Sequence, residues 1–156
     1  MTARELLLQG RGRLPSALEA EVLLMHVLEV DRAWLYANSE HPVSKAAQQR
    51  YTDFLERRMA GEPIAYLTGI REFWSLPLQV TPDVLIPRPE TELLVEAALQ
   101  RLPAGEKWRV ADLGTGSGAV ALAIASERPL CEIHATDISA AALAVARDNA
   151  DRLAPG

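Results

Sequence analysis

Three glycines at alternate positions, Gly114, Gly116 and Gly118, separate an apolar run from an Ala-rich one. The full stretch is Val110-Ala111-Asp112-Leu113-Gly114-Thr115-Gly116-Ser117-Gly118-Ala119-Val120-Ala121-Leu122. Its left end reads as a buried strand and its right end as a helix. A strand, a glycine turn and a helix together bring a ligand against a helix N-terminus, whose backbone N–H groups have no acceptor inside the helix. Gly114 and Gly116 remove the Cβ atoms that would hold a ligand away.

Two ligands fit this spacing. Gly114-x-Gly116-x-x-Ala119 satisfies the loose dinucleotide pattern. Gly114-x-Gly116-x-Gly118 behind an acidic residue is the pattern of enzymes that use S-adenosyl-L-methionine. Asp112 separates the two. A carboxylate two residues before the first glycine repels a pyrophosphate, and it attracts a sulfonium and an ammonium. The charge argument therefore favours S-adenosyl-L-methionine. Asp137 follows the next apolar run, Cys131 to Thr136. An acidic residue about 20 positions beyond the glycines is placed to accept ribose hydroxyls. The plainer alternative is a helix cap, with Asp137 or Ser139 closing the start of the next helix. The expected cofactor-binding residues are Asp112, Gly114, Thr115, Gly116, Ser117, Gly118 and Asp137. No metal-ligand spacing is present.

Composition narrows the function classes. The chain has 156 residues, a net charge of −5 and 49% hydrophobic residues. That charge argues against a general nucleic-acid binder, whose phosphate contacts need a basic face. The single cysteine, Cys131, excludes an internal disulfide and suits a reducing cytosol. No signal peptide or membrane-length apolar run is visible, so the expected location is cytoplasmic with no membrane partner.

Along the chain, residues 1–68 read as four or five short helices. Thr2 to Glu5 and Ser16 to Glu19 have capping-box spacing. The first helix is expected to end near Gly10, with Arg11-Gly12-Arg13 a solvated loop. Leu18, Val22, Met25 and Leu28 mark an apolar stripe in the second helix, with Leu23 and Leu24 widening it. Asp31 caps a third helix, and a fourth runs from Ser44 to Gly61. His26 reads as structural. Residues 69–86 suggest a β-hairpin linker with Pro77 near an edge. In Pro87-Arg88-Pro89 the second proline pushes Arg88 into an extended conformation at the mouth of a helix. That helix carries Leu93, Leu94, Ala97, Ala98 and Leu102. Residues 87–156 then supply strand, glycine turn, helix, strand and helix.

These residues together resemble the bacterial release factor glutamine methyltransferases, class I S-adenosylmethionine-dependent enzymes. Three segments carry the resemblance: Gly69-Ile70-Arg71-Glu72-Phe73-Trp74-Ser75-Leu76-Pro77-Leu78, Leu85-Ile86-Pro87-Arg88-Pro89-Glu90-Thr91-Glu92, and Asp112 to Gly118 followed by Asp137. The resemblance implies an α/β fold: a small N-terminal helical bundle, a hairpin linker and the first half of a Rossmann-like methyltransferase domain. It implies methyl transfer to the side-chain amide nitrogen of the glutamine in the Gly-Gly-Gln loop of a peptide chain release factor. It places Gly114 to Gly118 against the methionine end of the cofactor, Asp137 on its ribose and Asp112 near its ammonium. Arg88 and Pro89 would lie near the transfer pocket, and residues 1–68 would help grip the release factor.

The family's Asn-Pro-Pro-Tyr loop is not found in this sequence. In the family that loop orients a weakly nucleophilic amide nitrogen. No catalytic residue is therefore named. Two strands and two helices also leave a parallel sheet incompletely covered. The expectation is the N-terminal part of a longer enzyme, inactive by itself. Competing readings are an NAD-type oxidoreductase, which Asp112 disfavours, and a non-catalytic interaction module. A methyltransferase for a ribosomal protein glutamine or an adenine base is a third. Acidity argues against the adenine case.

Overall fold

The computed structural model describes residues 1–153; positions 154–156 of the expected 87–156 segment lie outside the described residues. The chain forms two compact units, Met1–Thr68 and Gly69–Gly156.

The first unit holds five helices: α1 (Ala3–Arg13), α2 (Ala17–Leu28), α3 (Arg32–Ala37), α4 (Lys45–Met59) and α5 (Ile64–Thr68). Its core gathers Leu6, Leu23, Leu24, Leu35, Tyr51 and Leu55. The Thr2 capping box forms as the spacing predicts: Glu5 N–H donates to Thr2 Oγ1 at 3.2 Å, and Thr2 N–H donates to Glu5 Oε2 at 2.8 Å. The second expected box does not form, and Ser16 makes no side-chain cap. Glu19, which would reach back to it, instead accepts both arms of the Arg58 guanidinium at 2.8 and 2.9 Å. The α2 stripe is also rotated from the expected one. Leu23, Leu24 and Val27 are buried, while Leu18 is exposed.

α1 does not end at Gly10; it continues to Arg13. Gly10 is a packing position, where the helix passes close to Tyr51 and Ala20. Arg11 and Arg13 consequently lie in the last turn of α1, where the helix dipole favours cations. Neither is merely solvated. Arg11 Nη2 pairs with Glu21 Oε1 at 2.6 Å and Arg13 with Glu56 at 3.8 Å. Glu21 is buried and also pairs with Arg32 at 2.9 Å, and the Tyr36 hydroxyl donates to it at 2.7 Å. His26 is half-buried and stacks on Phe54 with ring centroids 5.8 Å apart.

The Glu21 cluster predicts an acid response. The Tyr36 hydroxyl, then the Arg11 and Arg32 guanidinium groups, hold the carboxyl below its ordinary value of 4.5, against the opposing cost of burial. A carboxyl depressed in the folded state contributes stability that is complete above its unfolded pKa. That contribution is lost as pH falls through the folded one. The urea midpoint of the first unit is therefore expected to be flat in this term at neutral pH and to fall below about pH 4.5. Glu21→Gln should be less stable at pH 7 and show a shallower acid decline. An unchanged acid slope would show that other carboxylates carry it.

The second unit begins with an antiparallel hairpin, β1 (Ile70–Phe73) and β2 (Leu76–Gln79), in the register Phe73 opposite Leu76. Trp74 and Ser75 form its turn, both at positive φ, 51° and 59°. This costly conformation for side chains is tied from two sides. Trp74 N–H donates to Glu92 Oε1 at 3.0 Å and its indole N–H donates to Glu127 at 2.9 Å. Arg88 is extended, with φ −95° and ψ 145°, and is followed by a 3₁₀ turn, Pro89–Thr91, and α6 (Glu92–Leu99). Leu93 and Leu94, which the sequence places in this helix, are exposed; Val95 is its fully buried residue.

β3 (Arg109–Leu113), α7 (Ala119–Glu127), β4 (Glu132–Thr136) and α8 (Ala140–Leu153) complete the unit. β3 and β4 pair in parallel, with Val110 opposite Ile133 and Asp112 opposite Ala135. One sheet face packs its half-buried Val110 and Ile133 with Phe73, Leu78, Val95, Leu122, Ala123 and Ile124. On the other face Ala111 and Leu113 are exposed. No helix among the described residues is long and apolar enough to cross a membrane.

Candidate cofactor site at the glycine turn

The turn between β3 and α7 lies at the C-terminal ends of both parallel strands, where α/β sheets place their ligand crevices. Its shape follows from glycine. Gly114, Gly116 and Gly118 all have positive φ, 81°, 56° and 84°. The backbone amides of Gly114 and Thr115 both donate to Thr136 O, at 2.8 and 2.9 Å. Gly118 N–H donates to Thr115 O at 2.9 Å and closes the turn. Gly118 is also the N-cap of α7 and uses no side-chain cap, which leaves the first amides of α7 without intrahelical acceptors.

Two carboxylates flank the turn. Asp137 Oδ2 accepts from Gly116 N–H at 2.9 Å, and Oδ1 accepts from Ser139 N–H at 2.9 Å. These bonds, that from Ser139 first, hold its pKa below the ordinary aspartate value. Each oxygen retains a second lone pair for a further donor. Asp112 Oδ2 accepts from the Thr115 hydroxyl at 2.7 Å. Neither aspartate forms an ion pair among the described residues. The turn is therefore negatively charged and rich in backbone donors.

The structure thus brings together Asp112, Gly114 to Gly118 and Asp137. The capping alternative also operates: Ser139 Oγ accepts from Ala142 N–H at 3.2 Å at the start of α8. Asp137 thus orders two backbone segments at once. Arg88 is exposed, and its side chain makes no hydrogen bond or ion pair among the described residues. No group of His, Cys, Asp and Glu among the described residues has metal-site geometry. Cys131 is half-buried and free.

One residue at the turn is absent from the expected set. Asn149 of α8 is fully buried. Its Nδ2 donates to Ser117 O and to Gln79 O, both at 2.9 Å. Its Oδ1 accepts from Gln79 N–H at 2.7 Å and from Arg152 Nη2 at 3.1 Å. The signal was available in the sequence. Ala142, Val145, Ala146 and Asn149 share one face of α8 at helical spacing, so an asparagine there must find its partners inside the protein.

Comparison with known proteins bears on the same segments. Residues 5–69 match the PrmC N-terminal domain and residues 89–155 match the methyltransferase small domain. A release factor glutamine methyltransferase of Coxiella burnetii is 59% identical over 133 residues, 85% of this chain and 48% of that protein. The proteins of that name from Salmonella typhimurium and Escherichia coli are 55% and 54% identical, each over 136 residues, 87% of this chain and 49% of theirs. The chain spans about half the length of the curated relatives it matches. With both domain models matched in order and these identities across both units, the chain belongs to the release factor glutamine methyltransferase family.

Proposed function

We propose that the glycine turn binds S-adenosyl-L-methionine, and that the chain is the cofactor-binding part of an enzyme that methylates the glutamine amide nitrogen of the Gly-Gly-Gln loop in peptide chain release factors. The observation that carries the cofactor reading is the placement of two carboxylates without cationic partners, Asp112 and Asp137, on either side of a turn whose Gly114 and Gly116 leave open space where a Cβ would stand. That donor set suits a ligand with a cationic end and ribose hydroxyls, and it repels a pyrophosphate.

Each residue has a defined task in this reading. Gly114 to Gly118 offer backbone close to the methionine end. Asp112, oriented by the Thr115 hydroxyl, faces the ammonium. Asp137, held ionised by Gly116 and Ser139, takes the ribose hydroxyls on its remaining lone pairs. When bound, the cofactor supplies an electrophilic methyl group on a sulfonium. Residues 1–68 are proposed as the helical substrate-recognition unit, 69–86 as a hairpin linker and 87–156 as the cofactor-binding segment.

The test is a calorimetric titration of this chain with S-adenosylhomocysteine, with NAD run in parallel. Binding of the first and not the second is expected. Preference for NAD, or binding of neither, overturns the cofactor reading. The sequence has no Asn-Pro-Pro-Tyr to orient the amide nitrogen. The 156-residue chain is accordingly expected to give no methyl transfer to a release factor, and measurable turnover would refute that.

A further inference from the structure

Asn149 has no place in the binding scheme above, yet it is the side chain through which α8 holds the glycine turn. A primary amide offers two N–H donors and one carbonyl oxygen with two acceptor sites. All four are used: two on the backbone of Gln79, one on Arg152 and one on the Ser117 carbonyl. The pairing to Gln79 uses both its N–H and its C=O, as a neighbouring strand would, and extends the end of β2 onto α8. The remaining N–H fixes the Ser117 carbonyl. The Ser117–Gly118 peptide is then pinned from both sides, its C=O by Asn149 and its N–H by Thr115 O. That peptide joins Ser117 to Gly118 and follows Gly116, and both glycines hold positive φ.

We infer that Asn149 is a positioning residue: by holding the Ser117 carbonyl against α8 and the end of the hairpin, it sets the geometry of the turn and thereby its affinity for the cofactor. This rests on the cofactor reading above. Asn149 does not itself reach the ligand, since it is fully buried. It acts through Ser117. Arg152 is the built-in control. It donates to Asn149 Oδ1 and to Pro77 O at 2.9 Å, on the hairpin side, and has no hydrogen bond to the turn.

The experiment compares wild type, Asn149→Ala and Arg152→Gln as the 156-residue chain, by calorimetry with S-adenosylhomocysteine and by amide NMR without ligand. Asn149→Ala is expected to weaken binding about tenfold or more, since small misplacements of a positioned site carry large penalties. Arg152→Gln should stay within about twofold of wild type. In the ligand-free spectra, Asn149→Ala should move the amide resonances of Gly116, Ser117 and Gly118, which Arg152→Gln leaves in place. A folded Asn149→Ala chain with wild-type affinity, or with an unmoved turn, overturns the inference. If Asn149→Ala fails to fold, wild type decides. Side-chain amide protons of Asn149 that resist exchange and shift on adding S-adenosylhomocysteine support the inference; rapid exchange without a shift overturns it. Absence of S-adenosylhomocysteine binding by wild type defeats the cofactor reading instead, and the turn resonances of the ligand-free chains still judge what Asn149 holds.

Discussion

The Gly114→Leu chain is expected to fold and to lose S-adenosylhomocysteine binding. The two halves of that expectation come from separate facts. A Cβ built on Gly114 meets nothing within 4 Å, so the ligand-free chain has room for a side chain. The cost to stability is then the backbone strain of a side chain at φ 81°, about 1–2 kcal/mol. The room itself is the proposed ligand space, and leucine fills it. Urea unfolding of the second unit should therefore shift modestly, while the calorimetric signal disappears. Retained binding would place the ligand away from the turn. Collapse of the unit would instead make Gly114 a folding residue and remove it from the binding argument.

Gly118 differs, although the sequence presents it as the third member of the same series. A Cβ there would stand 3.3 Å from Leu122 and 3.4 Å from Ala146. It serves the close approach of α7 and α8 as well as the positive φ. Spacing alone identified the turn, and it identified both flanking aspartates, because a strand followed by glycines and a helix admits few other arrangements. Spacing could not say which glycine answers to a ligand and which to a packed helix. That distinction lies in distances to side chains, one of them a helical turn away at Leu122 and the other across the fold at Ala146.

The same limit explains the other differences. Asn149 pairs with Gln79, and Glu19 leaves its expected capping role for Arg58. For Glu19 a distant partner outcompetes the local one that sequence patterns describe; for Asn149 helical spacing marks the buried face and leaves open which backbone it meets. Elements whose signals are local were legible: the Thr2 box, the Asp31 and Ser44 caps, the extended Arg88, and α7 over Ala119–Glu127. Elements decided by rotation of an apolar face were not. Runs such as Leu23-Leu24 or Leu93-Leu94-Val95 offer adjacent apolar residues, and only the packing partner selects among them. The α2 core thus takes both Leu23 and Leu24, while α6 turns Leu93 and Leu94 outward and buries Val95.

Gly10 and Gly12 make the point testable within one helix, with opposite signs expected two residues apart. Glycine in a helix interior is about 1 kcal/mol worse than alanine, so Gly→Ala normally stabilises. Gly12→Ala should do so by about that amount, because a Cβ there meets nothing within 4 Å. At Gly10 the added Cβ would collide with the Tyr51 hydroxyl oxygen and stand 2.9 Å from Cζ and 3.0 Å from Ala20 Cβ. A flexible side chain could swing away, but Tyr51 is fully buried, and its hydroxyl donates to Ala20 O at 3.1 Å. Moving it costs overpacking of about 1–3 kcal/mol. Stranding the buried hydroxyl costs about 1–3 kcal/mol more. Set against the propensity gain, Gly10→Ala should lose about 1–5 kcal/mol. A unit of this size holds about 3–10 kcal/mol in total, so the larger values would unfold it. Chemical unfolding of the two single variants, followed by the tyrosine signal, measures both. Stabilisation by both would mean that Tyr51 has somewhere else to go. Destabilisation by both would mean that α1 ends near Gly10 in solution, as the glycines alone suggest.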